Sequence, residues 1–270
     1  MTHPDDDMNI AETAHELKEM TESQHRPSHS HSGKSFAHTT EHLGRVVTKD
    51  GTTTLFNAQF NQTYHSTSGA YEEAMEKYVR PANIVKGNAI LDFCFGLGYN
   101  TLAAIEHAGG MDAGLSIVVL ENDPQMLLQL GTIKFADATI GELYNLLIQP
   151  ILAALCQDKT DFHFFVGTNK IRVIVGDARE KLPLFLRTSD RRFDAILFDP
   201  FSPKECPQLW TADVFAQCFA ALKSTQNGGG VLTTYSCAGS VRRAMTAAGF
   251  VVSDGPSVGR RAPSTIARKA

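Results

Sequence analysis

The chain has 270 residues, enough to bury one sizeable core with a small appendage. Hydrophobic residues make up 43% and charged ones 20%, as in a globular protein, and no run approaches the ~20 apolar residues that cross a bilayer. A net charge of −4 excludes a bulk polyanion binder, so a nucleic-acid partner would need locally gathered cations.

Residues 1–43 are acidic and then rich in histidine, with seven of the ten histidines before residue 43. They have no apolar centre of the secretory kind, and the composition predicts a disordered tail. The histidines have no partner cluster, so no metal is required. Five cysteines, odd in number and without a CxxC pair, read as free thiols of a cytoplasmic protein.

From Gly44 to Ala270 the pattern is that of one folded domain. "RVVTKDGTTTLF" places β-rich runs on either side of Asp50-Gly51, a hairpin signal. A polar loop then leads into a helix with Ser68 as its expected N-cap and Pro81 as its stop. Strands are predicted at 89–93, 116–121, 172–175, 195–198 and 231–234. Helices are predicted at 100–107, 124–130, 179–186 and 211–222. A helical insert near 134–160 is expected to kink or break at Pro150. The end reads as a helix over 239–248 and two strands, 250–253 and 264–268, that could pair antiparallel. The fold class is α/β: a mostly parallel, doubly wound sheet with a C-terminal antiparallel strand.

In such sheets ligands bind beyond the carboxyl ends of the strands. The first strand carries Asp92 and exits into Gly96, Gly98 and Asn100; the second ends in Glu121-Asn122-Asp123. The third exits into Gly176-Asp177 and the fourth into Asp199-Pro200-Phe201-Ser202-Pro203. Singly, each acid reads equally well as a helix cap; four in succession are harder to explain by capping. The loop "CFGLGYN" lacks the first glycine of a dinucleotide fingerprint, Cys94 standing there. An acid at Asp92 would repel a pyrophosphate but suits the cationic amine of a methionine. Glu121 is placed for both ribose hydroxyls and Asp177 for an adenine amine. The cofactor these groups fit is S-adenosyl-L-methionine. "FDAILFDPFSP" is similar to the Asp-Pro-Pro-Tyr type of motif of methyltransferases that act on nitrogen. Asp199 there could accept hydrogen bonds from an amine and orient its lone pair.

"YHSTSGAYEEA", "DFCFGLGYNT", "VVLENDP", "FDAILFDPFSPKECPQLWT", "TYSCAGSVRRAMTAAGF" and "VGRRAP" together resemble the methyltransferases of tRNA 5-methylaminomethyl-2-thiouridine synthesis. The resemblance implies a Rossmann-like class I S-adenosylmethionine-dependent methyltransferase acting on the aminomethyl nitrogen at C5 of the wobble uridine in tRNA. It implies the stand-alone form, without the flavin oxidase domain of bifunctional relatives. Carried over by position, Gly96, Gly98, Glu121 and Asp177 would hold the cofactor and Asp199 would face the amine. Tyr64, Ser66, Tyr235 and Ser236 would finish the pocket, with Phe201, Pro203 and Arg260 toward the substrate; a buried polar packing layer accounts for Tyr64, Ser66, Tyr235 and Ser236 nearly as well. Trp210 is expected as a core anchor. Arg242, Arg243, Arg260, Arg261, Arg268 and Lys269 form the local basic cluster, whose other reading is ordinary solvated charge. Two other functions stay open: a small-molecule or protein amine methyltransferase (or an aminopropyltransferase) on the same fold, and a binding module without turnover.

Overall fold

The computed structural model describes residues 43–259 and 261–269; the expected tail and Arg260 lie outside the described residues. Strands β1 (Leu43–Val47) and β2 (Thr53–Asn57) pair antiparallel around Asp50-Gly51, and the short β3 (Gln62–Thr63) adds to β2. Helix α1 (Ala70–Glu73) follows and widens into a π-helical turn over Ala74–Val79. Its N-cap is Gly69, not Ser68. Ser68 instead bonds Ser66 through their hydroxyls at 2.7 Å, and Asp50 of the hairpin turn accepts from the Glu72 amide at 3.4 Å. The cap is thus supplied from 22 residues upstream, where no local pattern shows it.

The main sheet comprises β4 (Ala89–Phe93), β5 (Ser116–Glu121), β6 (Asp161–Val166), β7 (Asn169–Val175), β8 (Ala195–Phe198), β9 (Gly230–Thr234), β10 (Val251–Asp254) and β11 (Thr265–Lys269). Their spatial order is β10-β11-β9-β8-β4-β5-β7-β6. The inner five, β9, β8, β4, β5 and β7, are parallel neighbours. β6 pairs antiparallel with β7 at one edge, and β11 antiparallel with β9 and β10 at the other. The expectation of a C-terminal antiparallel strand is met twice over, and β6 is a further strand outside the predicted set. Its alternating sequence, Asp161-Phe162-His163-Phe164-Phe165-Val166, buries only its last residue, as befits an edge strand covered on one face.

Two apolar layers sandwich the sheet. α2 (Tyr99–His107), α4 (Ala138–Leu155) and the π-turn cover one face, packing Tyr78, Leu102 and Ile148 against Ile90, Ile117 and Val119. α5 (Ala178–Thr188), α6 (Ala212–Ala221) and α7 (Gly239–Ala247) cover the other, packing Leu182, Phe215 and Met245 against Leu91, Phe93 and Ile196. The alternation Ile90/Leu91 and Asp92/Phe93 along β4 divides its side chains between the two faces. A short α3 (Pro124–Leu127) is capped by Asp123, which accepts from Gln125 and Met126 amides at 2.9 and 3.1 Å.

Helix α4 is continuous through Pro150, so the expected break does not occur there. Its 18 residues are long and apolar enough to cross a membrane by length and composition, although polar residues interrupt the apolar run in the sequence. In this fold Tyr144, Leu147, Ile148 and Ile151 turn inward to the core, and the Tyr144 hydroxyl donates to the Leu97 carbonyl at 2.9 Å. The insert therefore buttresses the glycine loop from behind.

Candidate active site

At the carboxyl ends of β4, β5, β7 and β8, where the strand order reverses about β4, lies a cavity of about 300 Å³. One half is walled by Cys94, Gly96, Glu121, Asp123, Gly176, Asp177 and Arg179. The other is walled by Phe60, Gln62, Tyr64, His65, Ser66, Glu73, Asp199, Phe201 and Tyr235.

The glycine loop is wound as tightly as its glycines permit. Gly96 and Gly98 have φ of 53° and 81°, and a Cβ at Gly98 would stand 2.6 Å from Phe95 Cζ. Cys94 also sits left-handed, at φ 66°. The missing glycine is therefore missing only in type: the backbone keeps the glycine conformation and Cys94 bears its cost, about 1–2 kcal/mol. Glu121 ties the loop to the second strand. Its Oε2 accepts from the Gly96 amide at 2.9 Å, and its Oε1 accepts from the amides of Asn122 and Asp123 at 2.8 and 2.9 Å. Burial pushes this carboxyl upward and the three amides oppose the shift. Asp177 caps α5 through the Arg179 amide at 2.9 Å and pairs with the Arg179 side chain, which holds its carboxyl below the usual range. It lines the cavity in that paired state.

Asp199 closes the other half. Its Oδ1 accepts from the Tyr78 hydroxyl and its Oδ2 from Asn100 Nδ2 at 3.0 Å. Removal from water, with Glu73 as a nearby negative charge, raises its carboxyl to about 7, against the hydrogen bonds from Tyr78 and Asn100. Tyr78 belongs to the π-turn, a rare geometry that recurs at functional sites. Glu73 and Lys77 are an i,i+4 pair. Lys77 is buried and Glu73 mostly so, the two are bonded at 2.7 Å, and Glu73 also accepts from the Ser66 amide. The hairpin extension folds over the loop after β8: Phe60 stacks on Phe201 with centroids 4.5 Å apart, and Gln62 Oε1 accepts from the Ser202 amide. Tyr64 leans on Phe201 at 4.9 Å and accepts from Asn57 Nδ2.

Several expected site residues do not reach the cavity wall. Asp92 is fully buried behind it, accepting from Thr101 Oγ1 at 2.6 Å while Oδ1 has no partner. Asn100, on the same side, spends its amide on Asp199 rather than on a ligand. Gly98 shapes the loop and Pro203 the following turn, and neither lines the cavity. Ser236 is buried, its carbonyl accepting from Thr265 Oγ1 to tie β9 to β11. Tyr235 does line it, its hydroxyl donating to the Pro200 carbonyl at 3.2 Å. Trp210 is the expected anchor: buried, with Nε1 donating to the Phe201 carbonyl at 2.8 Å. The residues the sequence did not point to are Tyr78, Glu73, His65, Phe60 and Gln62. The "YHS" and "YEEAMEKYV" stretches contain three of these five, His65, Glu73 and Tyr78, but only the fold brings Tyr78 to Asp199, 121 residues along the chain. Among the described residues no group of three or more His, Cys, Asp or Glu could hold a metal, and all five cysteines are free.

The residues fit the cofactor on structural grounds: a glycine loop with left-handed backbone beside a buried Glu121 at the second strand end. Comparison with known proteins agrees. Residues 139–270 match the family model described as S-adenosyl-L-methionine-dependent methyltransferase. An uncharacterized protein of Methanocaldococcus jannaschii is 30% identical over 226 residues, covering 83% of this chain and 59% of that one. The tRNA 5-methylaminomethyl-2-thiouridine biosynthesis bifunctional protein MnmC of Ralstonia nicotianae is 29% identical over 225 residues, 79% of this chain and 33% of its own length. The chain thus spans less than two thirds of the curated relatives it matches. The crystal structure of MnmC2 from Aquifex aeolicus superposes with a TM-score of 0.66 at 24% identity, covering 83% of this chain and 69% of that one.

Sheet, glycine loop and family model together define an α/β Rossmann-like enzyme whose cofactor is S-adenosyl-L-methionine. Over residues 139–270 the chain matches the S-adenosyl-L-methionine-dependent methyltransferase model, and its sequence likeness runs to the MnmC proteins.

Proposed function

We propose that the protein methylates an amine, and that the amine is the aminomethyl group at C5 of the wobble uridine in tRNA. The observation that carries the first part is Asp199, a mostly buried carboxylate on the cavity wall, oriented by Tyr78 and Asn100 beside the glycine loop. The second part is supported by the names of the MnmC relatives. When bound, S-adenosyl-L-methionine supplies a methyl on a sulfonium, which joins an attacking atom as the C–S electrons return to sulfur. Gly96, Glu121 and Asp177 would hold it, with Tyr64 and Ser66 as walls.

The protein's own contribution is orientation and charge. An ammonium has no lone pair and must lose a proton to water before it can attack. Ionised Asp199 then accepts one N–H bond of the neutral amine and stabilises the positive charge that grows on nitrogen in the transition state. The aromatic wall of Phe60, Tyr64 and Phe201 offers ring faces to a planar base. The test is incubation with labelled S-adenosyl-L-methionine and tRNA bearing 5-aminomethyluridine: label in the modified nucleoside supports the reading. Transfer to other amines but never to this tRNA removes the tRNA claim and leaves amine methylation standing.

A further inference from the structure

His65 lines the cavity and has no part in holding the cofactor or in orienting Asp199. It lies in the loop between β3 and α1, 5% exposed, on the same wall as Asp199. Its backbone amide is satisfied by Thr54 Oγ1 at 3.1 Å, and its ring meets Tyr99 at a centroid distance of 4.9 Å. Neither ring nitrogen has a hydrogen-bond partner. A buried imidazole with both nitrogens unsatisfied costs stability, and most buried polar atoms avoid it. The cost makes sense if a ligand supplies the partner.

The position says which partner. His65 Nδ1 stands 3.8 Å from Asp199 Oδ2. That is too long for the two to bond one another. It is right for one nitrogen to sit between them at hydrogen-bond distance from both, about 2.9 Å. We propose that His65 is a second acceptor for the substrate nitrogen, bracketing it with Asp199, and that the pair selects a primary amine. This rests on the amine reading of the Asp199 site. The bond bookkeeping is simple. One N–H bond of the incoming ammonium breaks, its proton going to water and its electron pair staying on nitrogen. The two N–H bonds that remain point at Asp199 Oδ2 and His65 Nδ1, so the lone pair has one direction left. A secondary amine has only one N–H and cannot satisfy both acceptors. The environment keeps the imidazole an acceptor: removal from water lowers its pKa to about 4, against the opposing pull of Glu73. The groups facing it are Asp199, Glu73 and the Tyr99 ring, and Glu73 is already engaged with Lys77 and the Ser66 amide.

The experiment compares wild type, His65→Phe and His65→Asn on an anticodon stem-loop bearing 5-aminomethyluridine. His65→Phe keeps the ring and removes the acceptor; His65→Asn restores an oxygen near the Nδ1 position. The expected result is a loss of kcat by about 10²-fold in the phenylalanine variant, recovered at least tenfold by asparagine. Affinity for S-adenosylhomocysteine by calorimetry should stay unchanged in both. Wild-type protein should also show the His65 Nδ1 ¹⁵N resonance moving when the stem-loop is added, a readout independent of any variant's folding. A phenylalanine variant as active as wild type, or a resonance that does not move, overturns the inference while leaving amine methylation intact. Wild-type transfer to oxygen or carbon acceptors and never to the amine overturns both.

Discussion

Asp199 is held near the point where small changes of environment decide its charge. Its folded carboxyl titrates at about 7, above the ordinary value of 3.8. The folded state therefore keeps a proton that the unfolded chain gives up between those two values. That contribution to stability is complete below the ordinary value and is lost as the pH rises through about 7, amounting to at most about 4 kcal/mol. Asp199→Asn has no charge to bury, and Asn100 can turn its unpartnered Oδ1 toward the new amide. Melting curves of the cofactor-free protein should show this variant more stable than wild type above pH 7, with the two converging below pH 4, while methyl transfer is lost. A wild-type curve flat across that range would show that Asp199 is ionised at no cost. Tyr78 gives a companion prediction in the kinetics. Its hydroxyl favours ionised Asp199, so Tyr78→Phe should move the rising limb of kcat/KM from about pH 7 to higher pH. An unmoved limb would assign it to another group.

At the scale of elements, the hairpin and the first helix act as one piece. Asp50 Oδ1 accepts from the side chains of Thr48 and Thr52 and from the Thr52 amide, while its Oδ2 reaches the Glu72 amide. Asp50→Ala should cost about 1–2 kcal/mol in denaturant unfolding, and Ser68→Ala should stay within about 0.5 kcal/mol; the reverse order would return the cap to Ser68. This contrast shows what the sequence could and could not say. The parallel strands were legible because buried strands are continuous apolar runs, and Gly96, Glu121, Asp177 and Asp199 followed from reading what leaves each strand end. Ser68 misled because a helix cap recruited through space carries no local signal. β6 escaped because an edge strand with exposed Asp161, His163 and Phe165 lacks an apolar run. The helix before Pro81 was legible, but the π-turn over Ala74–Val79, in which Lys77 and Tyr78 are buried, is invisible in residue types. Asn100 was legible as a strand-exit residue, but its hydrogen bond to Asp199, 99 residues away, was not.

For the molecule as a whole, the question is how a protein of net charge −4 would hold a polyanion. The C-terminal basic cluster divides once folded. Arg242 bonds Asp254 at 2.6 Å and reaches Thr265 and the Ser264 carbonyl, locking α7 to β10 and β11. Lys269 donates to the carbonyls of Phe219 and Leu222 at the end of α6. Both are structural cations. Arg243, Arg261 and Arg268 are exposed. Gly259 packs near the cavity: a Cβ on it, at φ 70°, would stand 2.4 Å from Ser68 Oγ and 3.5 Å from Ser66 Oγ. That close approach brings Gly259, two residues before Arg261, against the wall that includes Ser66. If tRNA is the substrate, phosphates approaching that rim meet Arg261, with Arg243 on the helix that follows β9. Replacing Arg243 and Arg261 by Gln should then weaken tRNA binding and lessen the slope of log K against log salt by about 0.7–0.9 for each phosphate no longer neutralised. The melting temperature should be unchanged. Arg242→Gln should lower the melting temperature. A double Arg243/Arg261 variant that binds tRNA with the wild-type salt slope would move the nucleic-acid footprint to another face of the molecule. It would leave the amine chemistry of Asp199 untouched.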